Sequence, residues 1–360
     1  MTGPPAVLLP AAAAVLLLLA PALALFFGGL SGRRTWLIAG LGALASFVLA
    51  TTAWMLFGTV LQLALFQAAL AATAVMTVLS VGLRAGRARG YLAFVTVWAV
   101  VVLVPVGHAL FDVDGGLLTL WLGTLDFAGA GVLAVSVGTA AVSFAIIGRD
   151  TGPPDNTPPV RPAWLLVVSG LIGGAGLAAL ALGSELVLDS SSPRILATML
   201  WAMVAGTVGW TAAQLVNVHR PTIAGYVAGL LAGGVAALAG APWLDTGSAI
   251  ALGLSAGILG HVIAVASRRA GAGPWATVIG VLLVPGSLGM LLLGVAGGGS
   301  GLIFSGNLVA VTSQATGLAV VIGYSFALSV LVAMIVRRTL GLHERASEAA
   351  PPQERPAVRR

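Results

Sequence analysis

Apolar runs of about 20 residues, the length that crosses the hydrocarbon of a bilayer, recur from one end of the chain to the other and are separated by short polar or basic stretches. Eleven can be traced, at about 8–30, 35–58, 61–83, 91–111, 122–147, 162–183, 195–217, 222–240, 246–267, 275–297 and 312–336. In hydrocarbon every backbone N–H and C=O must be satisfied within the segment, so runs of this length are read as helices. The predicted fold is an all-α polytopic membrane protein with eleven transmembrane helices.

The breaks between runs set the orientation. Basic residues fall on alternate loops: Arg33 and Arg34; Arg84, Arg87 and Arg89; Arg149 and Arg161; Arg220; Arg268 and Arg269; Arg337, Arg338 and the tail. The opposite loops carry Asp112, Asp114, Glu185, Asp189 and Asp245, with Arg194 as their one basic residue. Because cytoplasmic loops hold the excess of positive charge, the amino terminus is expected outside and the carboxy terminus in the cytoplasm of a cell (plasma) membrane. Residues 1–10 contain no basic side chain and the first run continues past the usual signal-peptide core, so it is read as a retained helix.

Composition agrees with this class: 59% of 360 residues are hydrophobic and 8% charged, against roughly 25% charged in a soluble domain. The net charge of +6 sits in short arginine pairs between spans, not in a stripe, which argues against a nucleic-acid partner. Cysteine is absent, which removes disulfides and thiolate metal sites from consideration. No cofactor or metal is expected, and no nucleophile–base pair or paired carboxylates suggest catalysis.

Candidate chemistry lies inside the runs. The stretch Leu125–Ile147 places Asp126 at the mouth of a span otherwise free of charge, followed by Gly129, Gly131, Ser136 and Gly138, small residues that permit close helix packing. Asp126 either caps the start of this helix by accepting backbone N–H groups near Gly129 or shapes a polar entrance for a cation. Gln67 must find a partner in protein or water, as core hydrogen-bonding or as pore lining. Trp54 and Phe57, at the end of span 2, read as interface anchors. Gly225, Gly229 and Gly233 form a ridge suited to close helix contact. Pro285, with Gly286 and Gly289, predicts a kink or brief unwinding of span 10. His108 reads as a local hydrogen-bonding group, and His261 has no neighbours at ligand spacing. The GGGSG loop at 297–301 lacks the lysine and strand of a phosphate loop.

The proline-rich connection at 148–161 divides the chain into a first half at about 8–147 and a second at about 162–297, followed by span 11. Two five-helix units of opposite orientation fit the pseudo-two-fold inverted repeats of many transporters. Residues 1–342 then form one membrane domain, and the polar, proline-containing segment 343–360 a disordered cytoplasmic tail.

In order along the chain, PALALFFGGLSGRR at 21–34, TAWMLFG at 52–58, ALFQ at 64–67, VPVGHALF at 104–111, LDFAG at 125–129, ALGS at 181–184, RPTIAGYVAG at 220–229 and GYSFALSVLVAMIVRRTLGL at 323–342 resemble segments of the ammonium transporter and Rh family. The resemblance implies a homotrimer of eleven-helix protomers in the lipid bilayer, each with its own narrow pore. It implies that Phe66 is an outer gate phenylalanine, Asp126 the acidic residue near the outer recruitment site and Ser184 that site's serine. Phe111 stands where the family has tryptophan, and Leu70 and Leu180 stand where phenylalanines are expected. The family's two facing pore histidines fall at Ala134 and about Leu282. The tail lacks the family's acidic-glycine motif, which leaves the usual regulatory partner without a recognisable docking segment.

Without the histidine pair no group at mid-pore can relay a proton, and an isolated cation faces a barrier of several kcal/mol. Two functions follow. One is a divergent channel for ammonium, ammonia or a related small neutral solute, without a histidine relay. The other is a non-conducting sensor, ligand-binding or scaffold protein on the same fold.

Overall fold

The computed structural model describes residues 18–27, 33–56, 61–85, 87–112, 115–147 and 162–342. The beginning of the first span, Gly28–Gly29, Phe57, the 148–161 connection and the tail from 343 lie outside them. The described helices are α1 (Leu18–Phe27), α2 (Arg33–Leu56), α3 (Leu61–Ala85), α4 (Ala88–Phe111), α5 (Ala130–Ile147), α6 (Ala163–Ser184), α7 (Ser192–Val218), α8 (Ile223–Ala237), α9 (Thr246–Arg269), α10 (Trp275–Ala296) and α11 (Val309–Thr339). Among the described residues nine helices are long and apolar enough to cross a membrane; α1 and α8 are shorter apolar helices. The chain is thus an all-α polytopic membrane protein.

Two expected spans end differently from their hydropathy. The run at 222–240 is helical only over the 15 residues of α8, about 22 Å at the usual rise, after which the chain turns. The run at 122–147 becomes helical only at Ala130. Before it, Phe127 and Ala128 donate their N–H groups to Ala239 and Leu238 at 3.1 and 3.0 Å. The residues that α8 does not incorporate therefore hold the segment that α5 does not incorporate.

Burial identifies the centre. In the most apolar 18-residue stretch of α3, 94% of residues are inside, and in that of α5 83%, against 22% for α2. Small residues make the central and second-half packing possible. On the α8 ridge, Gly229 and Gly233 lie against the backbone of Gly206 and Ala202 in α7, while Gly253 and Gly257 of α9 meet the same stretch of α7. Any side chain there would strike a neighbouring backbone, so close approach is the purpose of these glycines.

Helices α4 and α10 each contain five residues with a widened turn, Ala99–Leu103 and Ile279–Leu283, ending two positions before Pro105 and Pro285. A proline cannot donate to the carbonyl four residues earlier, and a widened turn accommodates that loss. The expected disturbance of span 10 takes this form. In α4 the carbonyl that Pro105 leaves free, Val101 O, accepts the Tyr324 hydroxyl of α11 at 2.8 Å.

That bond is one of a series along α11. From its amino-terminal end onward, Gln314 Nε2 donates to Leu125 O at 2.9 Å, the hydroxyls of Ser136 and Ser325 lie 3.2 Å apart, and Trp98 Nε1 donates to Ser329 Oγ at 2.9 Å. Arg337 Nη1 donates to Ile147 O at 3.3 Å. Helix α11 is therefore stitched to α4, α5 and the segment before α5 over its full length.

Candidate functional site

The segment Leu122–Gly129 is organised by one carboxylate. Gly129 has φ +85°, a left-handed conformation that glycine adopts without the penalty a side chain imposes, and this turn points the first N–H groups of α5 back at Asp126. Its Oδ1 accepts from Gly129 N at 3.1 Å and Ala130 N at 2.7 Å. Oδ2 accepts from Gly131 N at 2.8 Å and Val132 N at 3.4 Å. Asp126 is buried. The four N–H groups that a helix start leaves without intrahelical partners are thus bound by both oxygens of one side chain. Of the two roles weighed for Asp126, this geometry is that of the helix cap.

The same turn places Gly129 between two other candidates: a Cβ there would lie 3.2 Å from Leu70 Cδ2 and 3.4 Å from Phe111 Cζ. Leu70 and Phe111 line a small cavity together with Gln67, Trp54, Leu103 and Leu133. The cavity lies between α2, α3, α4 and α5. Trp54 differs from its reading as an interface anchor: it is 3% exposed, because Gly107 of α4 opens a groove for its indole, and a Cβ at 107 would lie 2.6 Å from Trp54 Cζ2. No local signal around Trp54 could announce this, since the groove is formed 53 positions later in the chain.

The remaining candidates lie elsewhere. Phe66, Ala134, Leu180, Ser184 and Leu282 do not line this cavity. Ser184 donates its hydroxyl to Leu180 O within α6 at 2.9 Å. Ala134 and Leu282 are both fully buried. At their level α5 and α10 touch directly: a Cβ on Gly286 would lie 3.0 Å from Ala134 Cβ, and one on Gly138 would lie 2.7 Å from the Leu283 backbone. Only hydrocarbon and backbone meet at this contact.

Other polar groups singled out in the sequence have local roles. His108 Nδ1 is 3.5 Å from Asp112 Oδ2. The Gly297–Gly301 loop closes on itself and on Trp243 through backbone hydrogen bonds, among them Gly298 N to Trp243 O at 2.8 Å. His261 is buried edge-on to Trp210, with ring centroids 5.3 Å apart. Among the described residues no group of three or more His, Cys, Asp or Glu side chains could hold a metal ion.

Residues 59–353 match the model of the Ammonium Transporter Family. An ammonium transporter of Mycobacterium tuberculosis is 30% identical over 275 residues, which is 70% of this chain and 57% of that relative; the chain matches just over half the length of this relative. A putative ammonium transporter of Methanothermobacter thermautotrophicus is 25% identical over 96% of this chain and 95% of its own length. Among solved structures, Mep2 of Candida albicans superposes with a TM-score of 0.82 at 18% identity, covering 95% of this chain and 86% of that one. A protein described as a sensor Amt protein gives 0.79 at 20% identity, over 96% and 98%. At these identities the structural likeness is one of fold.

Proposed function

Because the chain belongs to the ammonium transporter family, we propose that it is a divergent, membrane-embedded member that handles neutral ammonia or a similarly small uncharged solute and does not carry ammonium ion by a histidine relay. The observation that supports this reading is the hydrocarbon contact between α5 and α10 at Ala134, Gly138, Leu282 and Gly286. An ion at that depth would lose its hydration with no acceptor, charge or imidazole to replace it. A neutral molecule avoids most of that cost. Leu70 and Leu180 likewise offer no ring face to a cation.

In this reading the protomer has eleven spans in two inverted halves, the amino terminus outside and the carboxy terminus cytoplasmic, and assembles as a homotrimer. Phe66 and Ser184 flank the outer approach, while Asp126 acts by holding the start of α5 in place and not by recruiting a cation. A second reading, a non-conducting ligand-binding protein on this fold, is favoured by the direct approach of Gly138 to the Leu283 backbone, which leaves no gap between the two helices at that point.

Purified protein in liposomes separates these readings. The expected result is an ammonia-driven internal alkalinisation faster than in empty liposomes, with no saturable methylammonium current. A saturating inward current at neutral pH that is absent from empty liposomes would refute the proposal. Absence of both signals would establish the second reading.

A further inference from the structure

We propose that the turn Leu117–Trp121, between α4 and α5, is a lipid anchor: it seats in the bilayer face opposite the arginine pairs, with the Trp121 indole at the boundary between headgroups and acyl chains. The turn directs apolar side chains out of the protein. Leu117, Leu120 and Trp121 are 59%, 56% and 77% exposed, while Leu118 among them is 2% exposed. The backbone holds them there. Leu120 N donates to Gly116 O at 2.8 Å, Gly123 N to Thr119 O at 3.2 Å and Thr124 N to Leu118 O at 3.0 Å. The Thr124 hydroxyl then ties the segment to α11 by donating to Ser313 O at 3.0 Å.

The height of the turn in the molecule selects its partner. The Thr119 hydroxyl donates to Leu110 O at 2.6 Å, and a Cβ at Gly116 would lie 2.8 Å from Ala109 O. The turn is therefore folded back beside the last turn of α4 and does not stand above it. Leu110 is about 33 Å along α4 from Ala88 at the usual helical rise, against a hydrocarbon thickness of about 30 Å. That is the level of the headgroup boundary, where tryptophan satisfies an apolar ring and a polar N–H together. Residues 115–125 carry no charged side chain, so the turn offers a soluble partner no ion pair. The helices that hold it expose apolar walls, with Val97 and Val100 on α4 and Val320 and Leu331 on α11. In a polytopic membrane protein such walls meet lipid, and the turn continues them to the membrane surface. Trp54, expected as an interface anchor, is inside; Trp121 takes that role.

The chain has no cysteine, so one engineered cysteine carries a bimane probe without background. Leu120→Cys and Trp121→Cys, each in the full chain, are labelled and placed in phosphatidylcholine nanodiscs with and without lipids brominated near the glycerol end of the acyl chains. Both positions are exposed, so neither substitution opens the core. Both probes should lose emission to the brominated lipid and be protected from aqueous iodide. A probe at Gly115→Cys, an exposed position before the turn, should show the reverse. A second measurement leaves the turn without a label: the share of intrinsic tryptophan emission lost to brominated lipid should be smaller in Trp121→Phe than in wild type.

Quenching of the Leu120 and Trp121 probes by iodide and not by bromine would place the turn in water and overturn the proposal. Protection from both quenchers would mean that protein covers the turn, as at a contact with a second copy of the chain, and would overturn it equally. So would bromine quenching of the same size in wild type and Trp121→Phe. These measurements involve no solute, and bromine in both leaflets makes them independent of orientation. Failure of the ammonia reading or of the arginine-based topology therefore leaves the anchor standing, and failure of the anchor leaves those readings untouched.

Discussion

Replacing Asp126 should impair the fold before it alters any solute preference. The carboxylate accepts four backbone N–H groups, two of them short at 2.7 and 2.8 Å and two longer at 3.1 and 3.4 Å. A hydrogen bond to a charged group contributes about 1.5–3 kcal/mol, so the two short bonds alone are worth about 3–6 kcal/mol on the same scale. Total stabilities are on the order of 5–15 kcal/mol. Asp126→Ala leaves the first turn of α5 with buried, unpaired donors, and should melt well below wild type or fail to accumulate in the membrane. Asp126→Asn keeps the shape and one acceptor oxygen but turns an NH₂ group toward two N–H groups, and should lose roughly half as much, about 1.5–3 kcal/mol. Thermal unfolding in mild detergent, with amide exchange followed at residues 130–132, measures both effects. If the two variants melt with wild type and protect those amides equally, the four bonds carry no stability and the cap assignment fails.

Gly138→Val should force α5 away from the Leu283 backbone, with an overpacking cost of about 1–3 kcal/mol read as a lowered melting temperature; unchanged melting would mean the contact is looser than the structure shows. For orientation, an engineered cysteine at residue 115 should react with an impermeant reagent added outside, while one at residue 87 should react only after the membrane is opened. The opposite pattern would invert the arginine-based topology.

The order of helices was legible because the bilayer imposes a length and an apolar composition that local sequence must satisfy. Boundaries set by tertiary contacts were less legible. Leu122, Leu125, Phe127 and Ala128 are apolar and extend the hydropathy of span 5, yet they lie outside α5. Backbone groups of Leu125, Phe127 and Ala128 are met by Gln314, Ala239 and Leu238, partners more than 100 positions away. The usable local signals were Asp126 and Gly129, a cap residue followed by a glycine able to take positive φ, and they marked the break more accurately than hydropathy did. Trp54 was misread for a related reason: its place at the end of a span matched an interface anchor, but Gly107 supplies a groove that draws it inside.

The site was legible only as an inventory of polar groups that needed partners. The structure adds pairs that the sequence reading did not single out: Thr124 with Ser313 O, Gln314 with Leu125, Ser136 with Ser325, and Trp98 with Ser329. Each joins α11 to the first half, and each could be paired in the sequence with many other candidates. Among the described residues four buried side-chain atoms remain without partners: Ser46 Oγ, Gln67 Oε1, Tyr91 Oη and His261 Nε2. Of their residues, only Gln67 lines the cavity with Trp54 and Phe111. Tyr91 instead lies among the rings of Phe144 and Trp275, and His261 lies against Trp210. A buried polar atom lacking a partner is a cost to the fold in all four places.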